Sequence, residues 1–273
     1  MSQSQQPPSS PTYAAAAEPL QRATLIHTDS TGLVASETQI PTSTGLLPAY
    51  RAVPDRAGPH PIVLVVQEIF GLHEHIRDVT RRLAKLGYLA IAPALYFRQG
   101  DPAQYTDIDE LREKIVSKVP DEQVMADLDA TYAWAREQGG DPARLGVIGF
   151  CWGGRIVWLY AAHQPKLKAG VAWYGKLTGP KNAMQPRQPL DVSGQLKAPV
   201  LGLYGGQDPS IPLEQVEELR KSLREANSAS QVLVYPGAPH AFYADYRPSY
   251  RAEAAEDGWQ RLKAWFAQHG LRP

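Results

Sequence analysis

From Ile62 onward the sequence alternates between two patterns, and this alternation limits the fold more than any other feature. Short apolar runs at 62–66, 88–92, 145–150, 169–173, 200–204 and 231–235 are separated by segments of helical period. The runs lack polar alternation, which marks strands buried on both faces. Between them, Ile76, Val79, Leu83 and Leu86 recur at spacings of three and four, as do Met125, Leu128, Tyr132 and Ala135. Val216, Leu219 and Leu223 repeat the pattern, as do Trp259, Leu262 and Phe266. Strand and helix in alternation predict an α/β fold, a mostly parallel central sheet with helices on both faces. Upstream, residues 23–53 read as β-hairpins on one sheet edge. Residues 1–20, rich in Ser, Gln, Pro and Ala, read as a flexible tail. No composition break follows, so 21–273 is expected to be a single domain.

Composition removes several classes of function. Lys plus Arg and Asp plus Glu both total 28, a formal net charge of zero, so the basic footprint of a nucleic-acid binder is missing. One cysteine excludes an intrachain disulfide and any Cys-rich metal site. No segment approaches the ~20 apolar residues that span a bilayer. No Lys or Arg precedes Arg22, which fits neither a secretory nor a twin-arginine signal, and a cytoplasmic location is expected. A G-x-G-x-x-G motif is absent and Gly205-Gly206 is too short for a phosphate loop, so no nucleotide cofactor is expected. No feature argues for a subunit interface. A monomer is expected, with a dimer left open.

In such sheets, active sites occupy the loops at the carboxyl ends of the strands. After the run at 145–150 comes Gly149-Phe-Cys151-Trp-Gly153-Gly154, a G-x-C-x-G between a strand and a helix. This is the pattern of a strained turn that lifts a nucleophile clear of the sheet and aims helix N–H groups at it. Taken alone, Cys151 could equally be a small buried hydrophobe. Its partners follow in order. Asp208 comes after the run at 200–204 and His240 after the run at 231–235. Nucleophile, acid, histidine is the chain order of α/β-hydrolases. Histidine suits the base because its ordinary pKa lies near neutrality, and an aspartate fixes its tautomer. After the run at 62–66 comes Gln67-Glu68-Ile69. The backbone N–H groups of Ile69 and Trp152 are the expected oxyanion donors, and Glu68 is an unusual acid at a buried strand end. His73 and His75 lack a third ligand in register, so no metal is expected.

These motifs resemble the dienelactone hydrolase (carboxymethylenebutenolidase) family. The resemblance runs from about Ile62 to Phe266. It rests on Gln67-Glu68-Ile-Phe-Gly71, on Leu95-Tyr96 with Arg98-Gln99, on the cysteine elbow, on Gly206-x-Asp208 and on His240-x-Phe242. It implies Cys151 as nucleophile, His240 as base, Asp208 as its orienter, and Glu68 as a carboxylate that holds the thiol inactive until substrate arrives. The implied substrate is a small ester or lactone. The family's type enzyme has a serine directly after the histidine and an arginine four residues after it, where this sequence has Ala241 and Ala244. Arg98, Arg112 and Arg247 are then the candidate cations for a substrate carboxylate, with Phe242 as a further substrate contact. A general cysteine carboxylesterase or thioesterase, and a non-catalytic binding protein on the same scaffold, remain open. The Pro- and Gly-rich stretch 176–195 reads as a pocket-shaping loop or short lid.

Overall fold

The computed structural model describes residues 13–273. In chain order the elements are strands β1 (Leu33–Thr42), β2 (Gly45–Pro54) and β3 (His60–Val66), helix α1 (Glu74–Lys85) and β4 (Leu89–Pro93). Then come α2 (Ile108–Lys114), α3 (Asp121–Glu137), β5 (Gly140–Phe150), α4 (Trp152–His163), β6 (Leu167–Trp173) and α5 (Pro189–Val192). The chain ends with β7 (Val200–Gly205), α6 (Leu213–Glu225), β8 (Gln231–Tyr235) and α7 (Ala252–Gln268).

One eight-stranded sheet carries the order β1-β2-β4-β3-β5-β6-β7-β8. β1 and β2 form a hairpin, and β2 pairs antiparallel with β4. From β4 to β8 every pairing is parallel. All seven residues of β3 are buried, as expected for a strand covered on both faces. Ile76, Val79 and Leu83 of α1 are fully buried. Each such side chain contributes ~1.5–3 kcal/mol by leaving water.

The chain steps from β3 to β4 on one side, then crosses to β5 on the other. The carboxyl ends of β3 and β5 therefore flank a topological switch point, where open α/β sheets bind ligands. The sheet thus positions residues 67–69 beside Cys151.

Three expectations differ from the structure. A single hairpin replaces several, because residues 23–32 form no strand. Helix α2 was not foreseen; Asp107 caps it, its carboxylate accepting from the Glu110 N–H at 2.8 Å. The expected tail is packed over its later part. Ala14, Ala16 and Ala17 are buried around a 3₁₀ turn, the Gln21 N–H donates to the Tyr246 carbonyl at 2.8 Å, and the Thr24 hydroxyl donates to the Asp245 carbonyl. Small side chains let this segment lie flat on the domain. Residues 1–12 of the expected tail lie outside the described residues.

Candidate active site

Cys151 links β5 to α4 with φ 54° and ψ −113°, a conformation costly for any residue but glycine. Its N–H donates to the Trp173 carbonyl at 3.0 Å and its carbonyl accepts from the Arg155 N–H at 3.2 Å. The turn closes only over glycine. A Cβ on Gly153 would lie 2.4 Å from the Val66 carbonyl oxygen, and one on Gly154 would lie 2.4 Å from that of Trp173. The elbow is therefore wedged between the ends of β3 and β6.

Asp208 follows β7 and is buried. Its Oδ1 accepts from the Ser210 N–H at 2.8 Å and hydroxyl at 2.6 Å. Its Oδ2 lies 2.6 Å from Nδ1 of His240. A carboxylate only accepts, so Nδ1 carries the proton and Nε2 is left for the cavity. Burial alone would raise the Asp208 carboxyl, but the bonds from His240 and Ser210 hold it below the usual range. Burial would lower His240, yet the facing Cys151 sulfur and the Asp208 carboxylate push it up to about 10. The side chains of Cys151 and His240 share a cavity of about 580 Å³ with Ile69 and Trp152. The Ile69 amide has no backbone acceptor among the described residues. Trp152 opens α4, where an amide has no partner within the helix. Ile69 and Trp152 thus line the same cavity as Cys151 with amides that no backbone carbonyl claims among the described residues.

Glu68 is placed differently from the family account. It is almost wholly buried and does not line the cavity. Its Oε2 accepts from the Tyr246 hydroxyl at 2.7 Å and from Nε2 of His73 at 3.2 Å. Burial opposes its charge, but His73, His75 and Tyr246 hold the carboxyl down at about 2. The carboxylate is ionised and held by a histidine and a phenol, not by the thiol.

The candidate substrate contacts divide. Arg112 lines the cavity, exposed and 3.0 Å from Asp109. Arg98 does not. It forks onto Asp127 at 2.7 and 3.0 Å and lines a separate groove beside Thr42 and Thr44. Phe242 also fails as a contact. Ala241 before it has φ 59°, and the Phe242 ring is fully buried among Trp173, Tyr174 and Tyr235. Arg247 stacks 5.4 Å over the Phe70 ring, outside the cavity lining.

Stretch 176–195 lines the cavity through Lys176 and Gln188, while Tyr174 and Arg155 are among the lining residues that the sequence did not single out. Arg155 forks onto Asp121 at 2.7 and 2.8 Å and also donates to the Gln188 side chain and the Arg187 carbonyl, both at 2.8 Å. It ties stretch 176–195, which carries α5, to α3 and α4. Lys176 is exposed and has no ion pair among the described residues. His73 and His75 meet no metal-binding trio. The described residues that could form one are His27, Glu74 and Asp78, whose two carboxylates Arg81 already bridges.

A family model described as the dienelactone hydrolase family matches residues 47–270. The chain belongs to that family, one of carboxylic ester hydrolases. Among relatives, a protein of Escherichia coli K12 named "Putative carboxymethylenebutenolidase" is 59% identical over 259 residues, covering 94% of this chain and 95% of its own. One of the same name from Methylorubrum extorquens AM1 is 58% identical over 260 residues, covering 95% and 89%. The crystal structure of a dienelactone hydrolase, so named with the same qualifier, from Klebsiella pneumoniae superposes with TM-score 0.85 at 62% identity, covering 86% of this chain and 99% of that one. A dienelactone-hydrolase-like promiscuous phosphotriesterase from metagenomic libraries superposes with TM-score 0.72 at 25% identity, covering 87% and 99%.

Proposed function

We propose that this chain hydrolyses small esters or lactones through a Cys151–His240–Asp208 triad and an acyl-thioester intermediate. The observation that carries this reading is the 2.6 Å His240–Asp208 bond in the same cavity as a sulfur raised on a strained elbow. His240 Nε2 takes the thiol proton and Sγ attacks the carbonyl carbon. The N–H groups of Ile69 and Trp152 hold the oxyanion. The intermediate collapses, the alcohol or enol leaves with the proton from His240, and water enters. His240 then removes a proton from that water, the acid is released, and the sulfur regains its proton.

The charge on the cavity wall fits an anionic substrate. Lys176 and Arg112 both face the cavity and substitute for the arginine absent at Ala244. A second reading, a general cysteine carboxylesterase, is favoured by the buried Ala241 and Ala244, which present no charge of their own.

The test is hydrolysis of a dienelactone and of p-nitrophenyl acetate by wild type and Cys151→Ala. Lactone turnover that vanishes in the variant supports the first reading. Turnover of the simple ester alone, still dependent on Cys151, supports the second. Activity that survives Cys151→Ala, or a folded wild type that cleaves neither compound, overturns both. The second of these outcomes favours a binding protein.

A further inference from the structure

Two consecutive residues of the loop after β8 grip the loop after β3. The Tyr246 hydroxyl donates to Oε2 of Glu68 at 2.7 Å, and the Arg247 guanidinium stacks 5.4 Å over the Phe70 ring. Glu68 and Phe70 are the residues on either side of Ile69. The sheet cannot make this link, because β5, β6 and β7 lie between β3 and β8. Side chains therefore tie the loop of His240 to the loop of the Ile69 amide.

The Ile69 N–H and the Glu68 carbonyl belong to one rigid peptide plane, which ends at the Glu68 Cα. Backbone bonding does little to aim that plane. The Ile69 N–H has no backbone acceptor among the described residues, and the Glu68 carbonyl accepts from the Gly71 N–H at 3.4 Å, which is long for such a bond. The Glu68 side chain does more. Its buried carboxylate accepts from Tyr246 and, at 3.2 Å, from Nε2 of His73, and bonds to an ionised acceptor are the strong kind. Tyr246 is itself fixed. It is fully buried, its carbonyl accepts from the Gln21 N–H at 2.8 Å, and its ring meets those of His75 at 5.0 Å and His73 at 5.2 Å. Burial, and then the charge of Glu68, hold its phenol well above the ordinary pKa, so it stays a donor near neutral pH.

We propose that Tyr246 is a positioning residue for the oxyanion hole, which by holding the Glu68 carboxylate fixes the peptide plane whose N–H, that of Ile69, receives the charge of the tetrahedral intermediate. This rests on the reading of Cys151 as nucleophile and of the Ile69 N–H as an oxyanion donor. When sulfur adds to the carbonyl carbon, the C=O electron pair moves onto oxygen, and an aimed N–H stabilises it while keeping its proton. Neither Tyr246 nor Glu68 lines the cavity, so both act through the plane they hold. Glu68 is then an anchor for the backbone rather than a restraint on the thiol.

The test compares wild type and Tyr246→Phe on p-nitrophenyl acetate and on p-nitrophenyl thionoacetate, in which sulfur replaces the carbonyl oxygen. Both release the same phenolate, and kcat/KM reports acylation. Sulfur accepts hydrogen bonds poorly, so the oxo ester depends on the amide far more than the thiono ester does. Tyr246→Phe should lower the oxo rate ~10-fold, part of the ~10²–10³ that losing a donor outright costs, and the thiono rate under ~2-fold. A smaller folded fraction lowers both alike and leaves their ratio unchanged. Glu68→Ala should lower the ratio at least as far, and adding Tyr246→Phe to it should lower it no further, because two residues in one network do not act additively. An unchanged ratio in Tyr246→Phe overturns the proposal, whether both rates fall or neither does. A further fall in the double variant also overturns it, and if Glu68→Ala does not fold, the ratio in Tyr246→Phe decides alone. Cys151→Ala separates this from the underlying reading. If ester cleavage survives in that variant, or wild type cleaves neither ester, the triad reading fails and Tyr246 falls with it. Cys151-dependent cleavage with an unmoved ratio removes Tyr246 alone.

Discussion

His73 Nε2 lies 3.2 Å from Oε2 of Glu68, whose carboxyl is held down at about 2. A carboxylate cannot donate, so Nε2 carries the ring proton. Burial outweighs the attraction of Glu68 and holds the His73 pKa below its usual value. A neutral histidine thus steadies a buried anion at the end of β3.

The acid side of the stability curve should report Glu68. Its carboxyl falls from 4.5 to about 2 on folding. A lowered folded-state pKa contributes stability that is present above pH 4.5 and is lost as pH falls towards 2. Glu68→Gln has no such contribution, so the gap between the two melting curves should narrow across that window. Curves that stay parallel from pH 5 down to the acid transition would contradict the bonding described.

Removing the proposed nucleophile or its proposed base should be drastic. Cys151→Ala and His240→Ala should each lower ester turnover by about 10⁴-fold or more, since triad members act as a unit. Asp208→Asn should cost roughly 10⁴ by favouring the wrong tautomer. It should also bring the His240 titration down from about 10, a change that proton NMR of the ring reads directly. An unmoved titration would separate Asp208 from His240.

Arg155 and Asp121 are both largely shielded from water. Asp121→Ala strands the guanidinium, and breaking such a pair costs about 3–5 kcal/mol. Stretch 176–195 should then loosen. Protease should cut it several-fold faster, and KM should rise because that stretch walls the cavity. Unchanged cleavage would show that other contacts hold it.

Lys176 tests the charge reading. Lys176→Ala should raise KM for a carboxylate-bearing lactone about 2–5-fold, the worth of an exposed ionic contact, and leave a neutral ester unaffected. High salt should erase the difference by screening. The same KM for both substrates in wild type and variant would rule out anion selection by this residue.

Much of this was legible in the sequence because strand ends carry their own punctuation. Asp208 and His240 follow apolar runs closed by Gly205 and Pro236, and Cys151 follows one directly with Gly153 and Gly154 after it, so their places in the sheet could be counted. Side-chain direction has no such marker. Arg98 sits beside the right loop but is claimed by Asp127 on α3. Phe242 follows the histidine, yet the left-handed turn at Ala241 sends its ring inward. Tyr174 was hidden among buried aromatics, with only Gly175 after it to hint at a tight approach. The capping pattern of Asp107 and Glu110 was readable and would have found α2.

The packing of residues 13–24 against Asp245 and Tyr246 has a consequence for how the molecule is made. The Tyr13 ring lies against those of His73 and Tyr246, above the buried Glu68. These early residues leave the ribosome first, and the residues that receive them are among the last. A nascent chain can pair most of its strands before then, but it cannot seal the carboxylate from water until almost all of it has been translated. A product that stops before Tyr246 would hold much of the sheet and leave the Glu68 carboxylate without its phenol, so this pocket closes only on contacts made late in synthesis.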